Sequence, residues 1–135
     1  MALSQAQMSL AFPSILSVMQ ALQADWQMAI ISTDMTDPEH RGRLLEFDPS
    51  GATILNPTSP TSGSSAFQNA LIMGTDGSQL ERAFTAAWQA ITPPLSSHDN
   101  VGFPRPEARL VMIALSDEDD CSDEGGLLAE GSAAC

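Results

Sequence analysis

The sequence contains no lysine, so its basic character rests on five arginines, whereas 17 residues are aspartate or glutamate. The formal net charge of -12 repels phosphate backbones and anionic membrane surfaces. Nucleic acid is therefore a poor partner for this chain. Divalent cations and basic protein surfaces suit its charge better.

Long apolar runs are missing as well. No stretch approaches the ~20 consecutive apolar residues of a membrane-spanning helix. The early segment LAFPSILSVMQALQA resembles the apolar part of a signal peptide, but no lysine or arginine precedes Arg41. Because a signal peptide begins with a positively charged region, we expect none here.

Cysteine is scarce, with only Cys121 and Cys135 near the C-terminus. If paired, they would close a short loop, stabilise the fold by ~3 kcal/mol and indicate an oxidising compartment. If free, they would indicate a reducing cytosol. Two cysteines alone do not decide between these alternatives.

The sequence also lacks the motifs of the common catalytic families. It has no nucleophile elbow, no phosphate-binding loop and no dinucleotide fingerprint. We therefore do not expect an enzyme.

Two segments have clear helical periodicity. Residues 3–22 predict a helix, in which Pro13 suits the first turn of a second helical piece. Residues 78–91 predict another, which opens with SQLE, a sequence that fits a capping box. The apolar residues of this second helix fall on one face, which we expect to be buried: Leu80, Phe84, Ala87, Trp88 and Ile91.

Two apolar runs with little polar alternation, 25–34 and 110–115, predict buried strands. Shorter elements are expected at 44–47, 52–55 and 66–73. This alternation predicts an α/β fold with a doubly wound, mostly parallel sheet flanked by helices. We take residues 1–135 as one domain, of which 116–135 form an acidic, cysteine-containing C-terminal segment.

Both predicted strands end in aspartate, at Asp34 and Asp117. Ligands of doubly wound sheets bind beyond the carboxyl ends of the strands, so these carboxylates would share one rim and could hold a metal ion. The alternative for Asp117 is a helix cap or a solvated loop acid. The acids that follow it are expected to be solvated: Glu118, Asp119, Asp120, Asp123 and Glu124.

Thr75 and Ser78, in the stretch GTDGSQLE, could add hydroxyl ligands at the start of a helix. The alternative is that Ser78 only caps the turn that contains Glu81. The residues themselves leave both interpretations open.

Three segments, in this order, resemble the von Willebrand factor type A (vWA) domain of bacterial envelope-associated proteins: DWQMAIISTDM, GSQLERAFTAAWQAI and FPRPEARLVMIALSDEDDCS. The resemblance implies a Rossmann-like sheet and a metal-ion-dependent adhesion site for Mg²⁺ or another divalent cation. It implies that Asp117 is the last aspartate of that site and that Ser78 or Thr75 stands near its threonine. In that family a carboxylate of a protein partner completes the coordination of the metal.

The sequence departs from the family because the Asp-x-Ser-x-Ser motif, with the first central strand, is absent. We therefore expect an incomplete domain, shortened at the N-terminus and at the C-terminus. Without the central strand, 25–34 and 110–115 must pair directly, leave a gap or accept a strand from another chain. Self-association is one expected outcome.

The leading interpretation is an adhesion-type protein-binding module with a partial divalent-cation site, located at the cell envelope or outside the cell in its full-length relative. The alternative is a non-binding structural remnant or truncated gene product, whose acidic segment only confers solubility. A metal-assisted hydrolase that uses Asp34 and Asp117 is disfavoured, because no general base or nucleophile accompanies them.

Overall fold

The computed structural model describes residues 2–75, 77–78, 81–116 and 120–122. The chain divides into two compact units, Met1–Ile30 with Leu45–Thr75 and Ile31–Leu44 with Asp76–Cys135. The helices are α1 (Ala2–Ala21), α2 (Thr61–Ala70) and α3 (Ala83–Ile91), followed by a 3₁₀ helix at Leu95–Ser97. As the sequence predicts, no helix in the described ranges is long and apolar enough to cross a bilayer.

The predicted α/β fold with its doubly wound, mostly parallel sheet is wrong. The described ranges contain no strand, and their only strand-like pairings are two isolated antiparallel bridges, Met28 with Leu55 and Asp34 with Glu81. An apolar run signals burial, but it does not specify a pairing partner, and a strand exists only when its neighbour is present. The run at 25–34 is partly buried without a sheet, and the run at 110–115 lies mainly on the surface.

The core of the first unit is built around Phe67 of α2. Its ring stacks on Phe12 of α1 at a centroid distance of 5.1 Å and meets the edge of Phe47 at 5.3 Å. Trp26 and Ile30 complete this cluster from the apolar run that we predicted as a strand. Each large apolar side chain buried here contributes roughly 1.5–3 kcal/mol relative to exposure.

In the first unit, isolated backbone hydrogen bonds take the place of the continuous ladder of a sheet. Met28 and Leu55 exchange both of their N–H···O bonds, with N···O distances of 2.8 and 2.9 Å. The N–H of Leu45 donates to the carbonyl of Ile30 at 2.8 Å. These bonds satisfy buried backbone groups at separate points along the run, without forming a continuous strand.

Helix α1 continues unbroken through Pro13, so the predicted second helical piece does not exist. Proline has no N–H for the carbonyl four residues earlier, which here belongs to Ser9. The side-chain amide of Gln68 supplies the missing donor, with its Nε2 2.8 Å from the oxygen of Ser9. The Ser9 hydroxyl donates in return to the carbonyl of Gln68 at 3.1 Å. This reciprocal pair joins α1 to α2 and repairs the break that proline makes.

The side-chain amide of Gln5, a buried residue of α1, also bonds to a distant backbone segment. Gln5 donates from Nε2 to the carbonyl of Gly74 at 2.9 Å and accepts the N–H of Gly74 at 3.1 Å. Gly74 has a φ of 86°, which favours glycine. The Gln5 side chain therefore fixes the end of the segment that follows α2, as a neighbouring backbone strand would.

Helix α3 buries a face of small residues, and the predicted buried face is wrong. Its buried residues are Ala83, Ala86 and Ala90, whereas Phe84 and Trp88 are exposed. The reason is the close approach of Gly42, where an added Cβ would lie 2.8 Å from the carbonyl oxygen of Ala86. A helix face that touches another backbone at this distance has room only for small side chains.

The buried side chain of Asn100 holds the second unit together around α3. Its Nδ2 donates to the carbonyls of Gly42 and Ala90 at 2.8 and 2.9 Å. Its Oδ1 accepts the N–H of Leu44 at 3.0 Å. One amide thus connects the 42–44 loop to the end of α3.

Replacement of Gln68 by Met tests the repair at Pro13. The substitution leaves the Ser9 carbonyl buried without a donor, so we expect a loss of about 1–3 kcal/mol in the free energy of unfolding by urea. In a Pro13→Ala background the new N–H at position 13 can donate to Ser9. The same Gln68→Met change should then cost less than about 1 kcal/mol. Equal costs in both backgrounds would contradict the assigned role of Gln68.

Candidate functional site

The carboxylate of Asp34 organises a turn at the end of the 25–34 run. Its Oδ1 accepts the N–H and the hydroxyl of Thr36 at 2.7 and 2.6 Å, and the N–H of Asp37 at 3.4 Å. This is the pattern of an Asx turn, in which an aspartate substitutes for backbone acceptors. Asp34 therefore has a structural role whether or not it binds a metal.

The other carboxylate oxygen of Asp34 faces the 77–78 backbone. Oδ2 accepts the N–H of Ser78 at 3.2 Å, and a Cβ added to Gly77 would lie 3.5 Å from the same oxygen. The structure thus brings together two of the four residues that we predicted for the cation site. The donor in this contact is the backbone N–H of Ser78, not the hydroxyl that we predicted as a metal ligand.

The other two predicted ligands are Thr75 and Asp117. Thr75 is exposed and belongs to the first unit, whereas Asp34 and Ser78 belong to the second. Asp117 lies outside the described residues. The metal role of these four residues therefore stays a prediction.

Glu81 is a site residue that the sequence interpretation missed. It forms an antiparallel bridge with Asp34, and the flanking bond runs from the N–H of Arg82 to the carbonyl of Thr33 at 3.1 Å. Directly opposed residues of such a pair project from the same side, with Cβ atoms about 5 Å apart. The sequence offered only the SQLE pattern, which places Glu81 in a helix cap rather than beside Asp34.

Glu81 is only 5% exposed, and its Oε2 is buried without a hydrogen-bond partner. A buried carboxylate oxygen without a donor is costly, and such atoms can mark the place of a water or an ion. Asp34 and Glu81 together offer oxygen ligands of the kind that hard divalent cations use. In the described part of the chain, however, no three His, Cys, Asp or Glu side chains form a group that could hold a metal.

Part of the acidic burst caps α3: Asp120, which we expected to be solvated, has a structural role as well. The N–H of Phe84 donates to Oδ1 of Asp120 at 3.3 Å, and that of Thr85 donates to the Ser122 hydroxyl at 2.8 Å. These are free donors of the first helical turn, where a negative charge is also favourable. The cap comes from residues distant in sequence, and α3 begins at Ala83 rather than at Ser78.

Cys121 sits between these two capping residues and is almost completely buried. Its N–H donates to the carbonyl of Glu81 at 2.7 Å, and its sulfur is in a disulfide. Cys135, with which we considered a pairing, lies outside the described residues. The 120–122 segment is thus attached both to α3 and to the residue opposite Asp34.

Residues 110–115 form an apolar surface segment, in place of the buried strand that we predicted. Val111 is 79% exposed and Ile113 is 63% exposed, and their neighbours Leu110 and Met112 are exposed as well. Among the described residues, none of the six has a hydrogen bond of its backbone. Apolar surface and unpaired backbone therefore coincide in one short segment.

The pKa of Asp34 lies below its ordinary value. Partial burial acts to raise this pKa, but the hydrogen bonds from Thr36, Ser78 and Asp37 favour the ionised form and prevail. A carboxylate whose folded-state pKa is lowered stabilises the fold above its unfolded-state pKa, about 3.9 for aspartate. That stability is lost as the pH falls through the lower, folded-state pKa.

Replacement of Asp34 by Asn should therefore destabilise the chain by about 1 kcal/mol at pH 7, because the ionised acceptor is lost from a partly solvated site. The difference between parent and variant should shrink as the pH falls below about 4, where the carboxylate of the unfolded parent becomes protonated, and should be lost below the lower pKa of the folded parent. Urea unfolding at several pH values measures both effects. Glu46→Gln, at an exposed acid, is the control and should change little. A difference that is the same at pH 3 and pH 7 would contradict this role of Asp34.

Comparison with known proteins finds no matching family model, no matching curated protein and no matching solved structure. The resemblance to the vWA domain therefore rests on the three sequence segments alone.

Proposed function

We propose that this chain is a protein-binding module whose contact surface is the segment Leu110–Leu115. The observation that supports the proposal is the coincidence of exposed apolar side chains and unpaired backbone groups in this segment. Covering apolar surface stabilises a complex by about 25 cal/mol per Å², and unpaired N–H and C=O groups gain partners at the same time. A partner that covers this segment satisfies both needs.

Strand addition is the binding mode that fits these residues best. In this mode an extended segment of the partner pairs its backbone with that of the module, and alternate side chains enter separate pockets. Val111 and Ile113 are β-branched residues, which favour strands. They are also the two most exposed of the large apolar side chains of the segment and lie two positions apart, as one face of a strand requires.

A divalent cation is a second part of the proposal, and the buried, unpartnered Oε2 of Glu81 is the observation that favours it. Asp34 shares its face of the chain, and Ser78, Thr75 and Asp117 are the ligands predicted from the sequence. The binding is expected to be weak, because the Asp34 carboxylate already accepts hydrogen bonds on both oxygens. Mg²⁺ and Ca²⁺ are the natural candidates, since both prefer oxygen ligands.

A pull-down from a bacterial envelope extract tests the proposal, with the parent chain and a Val111→Lys/Ile113→Lys variant as baits. The lysines should abolish capture of the bound proteins, because a buried charge opposes strand addition. The matched control is Leu3→Lys/Leu10→Lys, which changes leucines that are 73% and 78% exposed on α1. The control should capture as the parent does.

Equal capture by the parent and by the 111/113 variant would contradict the proposed surface and favour a structural remnant without a partner. A parallel series with EDTA tests the cation. We expect a reduction of capture by roughly two- to tenfold, in keeping with a weak, partly saturated site. Unchanged capture in EDTA would remove the cation from the proposal and leave the segment in place.

A further inference from the structure

We infer that the partner of Leu110–Leu115 is the same segment of a second copy of this chain, paired in antiparallel orientation. The inference rests on the proposed function, because it identifies the partner of that surface. It starts from the backbone groups of 110–115, which have no hydrogen bond in the described ranges. A second copy offers the same unpaired groups in the same number.

In the other apolar run, 25–34, several backbone groups already have hydrogen-bond partners. Met28 exchanges both bonds with Leu55, and the carbonyls of Ile30 and Thr33 accept from Leu45 and Arg82. The described ranges contain no strand, so they offer 110–115 no free strand of matching character. A segment of another molecule can supply a partner strand.

The charges beside the segment favour a second copy in antiparallel orientation. In the sequence, Arg109 precedes the segment, whereas four acids follow Ser116: Asp117, Glu118, Asp119 and Asp120. An antiparallel pair centred on Ile113 sets Arg109 of one copy opposite position 117 of the other, where the sequence has the first of these acids, Asp117. Parallel pairing would set the acids of both copies side by side, which is destabilising.

The side chains are also self-complementary in this register. Val111 lies opposite Leu115, Met112 lies opposite the small side chain of Ala114, and Ile113 lies opposite Ile113 of the other copy, so these cross-strand pairs are all apolar. A two-fold axis passes through the Ile113 pair and makes each of the other contacts twice, as in other isologous dimers.

The dimer should be weak. Six residues per strand span only about 20 Å, and an isolated two-stranded pair is marginally stable in water. Small contacts of this kind belong to transient complexes, so we expect a dissociation constant on the order of micromolar or weaker.

Sedimentation equilibrium of the full chain over a range of concentrations tests the association. The parent should show a monomer–dimer equilibrium, and Val111→Lys/Ile113→Lys should raise the dissociation constant at least tenfold. The control Leu3→Lys/Leu10→Lys should leave it unchanged. A photo-crosslinking residue at position 110, in a mixture of isotopically labelled and unlabelled chains, reports the orientation. Antiparallel pairing places the crosslink near Ser116 of the other copy, and a crosslink near Leu110 would overturn the orientation.

The outcomes separate this inference from the proposed function. A parent chain that stays monomeric, but captures envelope proteins in a way that the 111/113 lysines abolish, overturns the second-copy inference and keeps the proposed function. A monomeric parent whose capture of envelope proteins is unchanged in the 111/113 lysine variant overturns both. A dimer whose dissociation constant is unchanged in the 111/113 lysine variant overturns the inference, because the copies then associate through another surface.

Discussion

Every backbone N–H and C=O that leaves water on folding needs a partner, and the described residues of this chain provide such partners at several points without a sheet. Polar side chains take the place of the missing ladders. Gln68 replaces the donor that Pro13 lacks, Gln5 pairs with Gly74, and Asn100 connects three backbone groups around α3. These side-chain amides let irregular segments pack closely in each unit. Among the described residues, no such substitute acts on the segment 110–115.

The sequence predicts those features of the fold that depend on local interactions. Helix α1 was expected at 3–22 and spans Ala2–Ala21, and α3 ends at Ile91 as expected. The start of α3 was wrong because its cap comes from Asp120 and Ser122, and a local pattern carries no information about donors bound from so far away. The sheet was wrong for a similar reason. An apolar run reports that a segment avoids water, but not which segment pairs with it.

For the candidate site too, the sequence predicts local positions but not the contacts between distant residues. The sequence placed Asp34 at the end of an apolar run and put Ser78 in its neighbourhood, and the structure joins the two through one N–H···O bond. It did not find Glu81, because the opposed position of Glu81 and Asp34 exists only once distant parts of the chain pair. The unpartnered Oε2 of Glu81 is visible only in three dimensions. The position of a carboxylate in the sequence can suggest it as a metal ligand, but its hydrogen-bond partners in the fold determine what it can bind.

The central claim is that 110–115 has an unpaired backbone that acquires a partner only by association. Amide hydrogen exchange measures this directly, because exchange is slowed where an N–H is hydrogen-bonded. In dilute protein, the amides of 110–115 should exchange rapidly while those of Met28, Leu45 and Leu55 are protected. At high protein concentration the amides of 110–115 should become protected. Protection of 110–115 at every dilution would contradict the account, since it would place the segment in a sheet within one chain.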